Sequence, residues 1–113
     1  MTGQTGEGRT KQMKAVQVHE RDNVATAISE IGRGQAVTVL SPSGEVVARP
    51  VAATSIGFGH KLAISALRSG QEVIKYGEVI GTAGEDIDAG ALVHVHNVES
   101  SRLPAKGPGR GIL

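Results

Sequence analysis

Four histidines, His19, His60, His94 and His96, carry most of the chemistry open to this sequence. The tightest spacing is His94-x-His96. In an extended strand, residues i and i+2 face the same side, so both imidazoles would project together while Val93 and Val95 face the core. Two imidazoles on one face can ligate a divalent metal, with a third ligand such as His60 arriving from another segment. The competing reading is a polar sheet face that carries two histidines. Gly57-Phe58-Gly59-His60-Lys61 is a glycine-flanked turn presenting an imidazole and a cation. Its backbone N–H groups could approach an anion, and Lys61 could neutralise a carboxylate. An ordinary turn with Phe58 in the core is the plainer alternative. His19-x-x-Asp22-Asn23 and Lys75-Tyr76-Gly77-Glu78 are the remaining polar clusters beside turns.

These residues need elements to hold them. Val16 and Val18 alternate in a short strand, Ala15 to His19. Asp22 can N-cap a helix from Asn23 to about Ile31, whose apolar face would be Val24, Ala27, Ile28 and Ile31. A short helical turn near Ala63 to Leu67 is a second option, since that run fits either period. Ser41-Pro42-Ser43-Gly44 is a turn between strands near Ala36–Leu40 and Glu45–Val51. An internal repeat recurs three times: Ile31-x-x-Gly34-x-x-Val37, Leu67-x-x-Gly70-x-x-Val73 and Ile87-x-x-Gly90-x-x-Val93. Each joins an apolar anchor, a glycine turn and an apolar strand start, as equivalent corners of one small β structure would. The fold class is therefore mainly β with one short helix.

Composition limits the rest. The 113 residues fit one domain, and the core must be aliphatic, because there is one Phe, one Tyr and no Trp. Without cysteine, disulfides and thiolate metal sites are excluded. No apolar run approaches the roughly 20 residues of a membrane helix, and the N-terminus lacks a signal-peptide stretch, so a cytoplasmic protein is expected. A net charge of +1 and the scarcity of aromatics give no case for nucleic acid. Residues 1–13 read as a disordered tail. Residues 102–113, with Arg102, Lys106 and Arg110 and no acid, read as a flexible basic tail that orders against a partner.

The motifs taken together resemble the N-terminal domain of the altronate dehydratase family. The resemblance rests on His19-Glu-Arg-Asp22-Asn23-Val24-Ala25, Gly59-His60-Lys61, Ile74-Lys75-Tyr76-Gly77-Glu78-Val79-Ile80-Gly81 and His94-Val-His96-Asn97-Val98-Glu99-Ser100, in that order. It implies an SAF domain of β-clip fold over residues 14–101. It also implies a lyase that removes water or sulfite from a hydroxy acid next to a carboxylate, working with iron or manganese. The large catalytic domain has no counterpart here. The resemblance thus implies a small subunit, inactive without its large partner. The small aliphatic core and the basic tail leave surface for a partner, so a homo-oligomer, or a hetero-oligomer with the large subunit, is expected. His19, Asp22, Asn23, His60, Lys61, Lys75 and Asn97 are its candidate active-site residues, and His94, His96 and His60 its candidate metal ligands. A non-catalytic SAF module for binding or assembly is the alternative.

Overall fold

The computed structural model describes residues 12–100. Nine short strands build two sheets, and no helix occurs among the described residues. They are β1 (Met13–Val16), β2 (Val24–Ala27), β3 (Val37–Leu40), β4 (Val46–Ala48), β5 (Lys61–Ala63), β6 (Glu72–Lys75), β7 (Glu78–Ala83), β8 (Leu92–Val93) and β9 (Val98–Ser100). The larger sheet has the order β4-β3-β1-β2-β5-β8, and the smaller has β9-β7-β6. All pairings are antiparallel except β1 with β3.

The expected helix over Asn23–Ile31 is instead strand β2 followed by a bend. Val24, Ala25 and Ala27 are all buried, whereas Ile28, assigned to the helix's apolar face, is 45% exposed. β2 lies between β1 and β5 and is covered on both faces. Such a strand reads as a nearly continuous apolar run, and here that run happened to match a helical stripe. Nor is there a helical turn at Ala63–Leu67, where β5 ends in a bend. Met13, placed in the N-terminal tail, opens β1 and is buried in the core. Residues 1–11 of that tail and the basic C-terminal segment lie outside the described residues.

The repeat organises everything else, and it has four copies. The fourth is Ile56-x-x-Gly59-x-x-Leu62, which ends on Leu instead of Val. Every anchor and every strand-start residue of the four copies is buried. Each copy also begins with an alanine four residues before its anchor: Ala27, Ala52, Ala63 and Ala83. The copies clasp in pairs. Gly34 donates to the Ala52 carbonyl (2.8 Å) and Gly59 to the Ala27 carbonyl (2.8 Å), while Ile31 and Ile56 form a β-bridge. Gly70 donates to Ala83 (2.7 Å) and Gly90 to Ala63 (2.8 Å), while Leu67 bridges Ile87. The first clasp encloses one core cluster with Val37 and Leu62, and the second encloses another with Val73 and Val93. β2 and β5 contribute to both, since Ala25 and Leu62 face the first while Val24 and Ala63 face the second.

Two corners differ in a way that can be measured. Gly34 and Gly90 have the same left-handed conformation (φ +87° and +86°), but a Cβ at Gly34 meets open space whereas one at Gly90 collides with the Val51 carbonyl. Gly34→Ala should cost about 1–2 kcal/mol, the conformational penalty alone. Gly90→Ala should cost clearly more, and urea unfolding of the two variants gives the comparison.

Candidate functional site

Three of the candidate polar residues act as braces. Asp22 is buried. Its carboxylate accepts the His19 N–H (3.1 Å) and the Gly77 N–H (2.8 Å), tying the β1–β2 loop to the tip of the β6–β7 hairpin. Asn23 completes this tie: its amide donates to the Glu72 carbonyl (2.9 Å) and accepts the Ile74 N–H (2.8 Å), in the manner of a short strand. Asn97 is buried too. It accepts the His94 N–H (2.9 Å) and donates to the Leu92 carbonyl (2.8 Å). Gln17, which the sequence did not single out, is a fourth brace, donating to the Asp22 carbonyl (2.9 Å). Buried amides and carboxylates satisfied this fully hold loops in one geometry.

Asn97 also corrects the strand expected through His94 and His96. β8 stops at Val93, and residues 94–97 form a turn closed by Asn97 N–H to the His94 carbonyl (3.0 Å). Val95, expected in the core, is 46% exposed. The two imidazoles therefore do not share a strand face. His94 meets His60 instead, edge to face, with ring centroids 5.5 Å apart and planes at 62°. His60 follows the second glycine corner, where Phe58 is two-thirds exposed and outside the core. His96 is exposed and lines a neighbouring groove of about 450 Å³ with Asp86 and Asp88.

Lys61 lies beside this pair. It is only 6% exposed, in β5 between Thr26 and Val93. Burial, then the charge of Lys75, lowers its pKa. The His94 pKa is lowered as well, by burial first and then by Lys61, His60 and His96. Lys75 is half-buried, with its ammonium 4.6 Å from the Tyr76 ring centroid. Tyr76 (φ +57°) and Gly77 (φ +76°) form the hairpin tip, and the His19 ring packs over Gly77 so closely that a Cβ there would meet it at 3.0 Å. The structure thus gathers His60 and His94 around two lysines, Lys61 and Lys75. His19, against the hairpin tip, lines a groove of about 640 Å³ with Gln17 and Pro42.

This cluster suits an anion. Among the described residues, no group of three or more His, Asp or Glu side chains is arranged to hold a metal ion. A divalent cation at His60–His94 would face the Lys61 charge rather than a carboxylate. These residues do not by themselves fit the iron or manganese that the resemblance implied. Among the described residues no helix is long and apolar enough to cross a membrane.

Comparison with known proteins agrees with the motifs. Residues 13–101 match the family model for the altronate/galactarate dehydratase SAF domain. The chain is 38% identical to altronate dehydratase of Escherichia coli over 79% of its own length, but this is 17% of that protein. It is 33% identical to altronate dehydratase of Bacillus subtilis, covering 76% of the chain and 16% of the relative. It is 44% identical to (2R)-sulfolactate sulfo-lyase subunit alpha of Paracoccus pantotrophus, over 48% of the chain and 81% of that subunit. The chain thus spans about a sixth of the altronate dehydratases and most of the sulfo-lyase subunit.

The site geometry leads to two measurements. His94 should titrate below the ordinary histidine value of about 6.5 in NMR, and Lys61→Met should move it upward by removing a neighbouring cation. The unfolded chain binds that proton more readily. His94 therefore lends stability above its unfolded pKa and withdraws it as pH falls through its lowered folded value. Asn97→Ala strands the His94 N–H and the Leu92 carbonyl, and should cost about 1–3 kcal/mol in urea unfolding.

Proposed function

The chain belongs to the altronate/galactarate dehydratase SAF family, and from that membership we propose that it is the small subunit of a two-component lyase. Coverage carries this reading: the chain matches a small part of the long dehydratases but most of a protein named as a subunit. The substrate class is a hydroxy acid, such as a sugar acid or sulfolactate, and the reaction is elimination next to the carboxylate. Removing the proton α to a carboxylate builds a second negative charge on it, which fixed cations stabilise in a water-poor site. Lys61 and Lys75 supply such cations. His94, held toward its neutral form, can accept a proton near neutral pH. The larger partner supplies the remaining catalytic groups.

A second reading, a non-catalytic module for assembly, is favoured by the exposure of Phe58 (66%) and Tyr76 (62%) on the loops that flank the cluster. The two readings separate in one experiment. The chain is co-purified with a large subunit of the altronate dehydratase type and assayed with altronate, galactarate and sulfolactate. The complex should turn one of them over, and the chain alone none. Lys61→Met should keep the complex but lower kcat/KM by roughly 100-fold or more, the loss typical of removing one oxyanion-stabilising group. Turnover by the small chain alone defeats the two-component reading. Full activity of the Lys61→Met complex favours the assembly module.

A further inference from the structure

We propose that Lys61, His60 and His94 form a binding site for one small oxyanion, the carboxylate of a hydroxy acid, that is complete within this chain and fills before any partner docks. Only the choice of a hydroxy acid rests on the function proposed above. The site itself rests on Lys61. Lysine is almost never buried without a partner, because removing an ammonium from water is costly unless an opposite charge replaces the lost solvation. Lys61 is 6% exposed, and the charges acting on it and on its neighbour His94 are those of other cations. Carboxylates on the adjoining loops are engaged elsewhere: Glu30 accepts the Phe58 N–H (3.2 Å), and both oxygens of Asp22 hold backbone N–H groups.

The fold does not require this lysine. Two residues after the glycine, the other three corners carry Ala36, Glu72 and Leu92 where the second carries Lys61. All four corners close with the same glycine-to-alanine hydrogen bond. Nor does the fold require an imidazole at the preceding position. Gln35 and Gln71 occupy it in the first and third corners, where each side chain accepts a backbone N–H of its own turn (2.6 and 3.0 Å). At the second corner the His60 ring still lies over Gly57 of its own turn, but it accepts no backbone bond there and packs against His94 as well. A buried lysine next to two imidazoles in edge-to-face contact supplies the positive charge and N–H donors that a planar carboxylate accepts.

The test uses the full chain without any large subunit, so its result is independent of lyase activity. Glycolate, as the carboxylate probe, should raise the melting temperature and shift the His60 and His94 ring signals saturably in NMR. Methanesulfonate should bind at least threefold more weakly, and equal or tighter binding overturns the carboxylate assignment. Lys61→Met should melt at or above the native temperature in the absence of ligand, since it removes an uncompensated buried charge. It should also bind glycolate at least tenfold more weakly. A lower melting temperature or failure to fold would make Lys61 a structural residue and overturn the proposal, as would unchanged glycolate affinity. His94→Phe retains a ring against His60. It should fold and lose at least threefold in glycolate affinity, and full affinity in this variant removes His94 from the site.

Discussion

The structure depends on one reciprocal contact, used twice. A glycine held at positive φ gives its N–H to an alanine carbonyl of another corner, and that corner's glycine returns the bond to the first corner's alanine. The backbone can turn this sharply only where no Cβ opposes it, and the partner strand can come this close only where the side chain is a methyl group. Large aliphatic anchors then fall on either side of each clasp and fill two small cores. With one Phe and one Tyr, both exposed, no bulky ring substitutes for this arrangement. The backbone clasps set the shape, and the aliphatic residues fill it.

The same economy explains the site. Four equivalent corners mean four chances to display side chains on one scaffold, and only the second, with His60 and Lys61, carries chemistry. Its neighbours come from turns fixed by buried polar braces. Asn97 aims His94, while Asp22 and Asn23 hold the hairpin that carries Lys75 and Tyr76. The cations themselves form few bonds, and the residues that form many bonds stand behind them. Sites built in this way trade local stability for a preset electrostatic field.

Much of this was legible in the residues. Three of the four corners were readable from apolar and glycine spacing. The second, Ile56–Leu62, was hidden by its terminal Leu62, and the alanines by their ordinariness in any apolar pattern. The helix over Asn23–Ile31 failed because a strand buried on both faces loses its period-two signature. The strand through His94 and His96 failed because Asn97 was read as a polar site residue. Asparagine's habit of bonding nearby backbone was the signal that marks a turn there. The four motifs pointed to the family, and the matches agree. The meeting of His60 with His94, and the burial of Lys61, come from tertiary pairing of β5 with β8, which no local pattern encodes.

The paired clasps also bear on how the chain finds its shape. The first joins Gly34 to Ala52 and Ala27 to Gly59, and the second joins Gly70 to Ala83 and Ala63 to Gly90. Neither clasp borrows a corner from the other, so each is a loop closure within its own stretch of sequence. The entropy of closing a loop grows with its length, and the second clasp spans the shorter stretches. Its contacts are of lower order, which favours early formation on the folding pathway. β2 and β5 then have to serve two nuclei at once. Lys61, 6% exposed, lies in β5, one of the two strands shared by both cores, so the strand that carries the site's lysine is held from two sides.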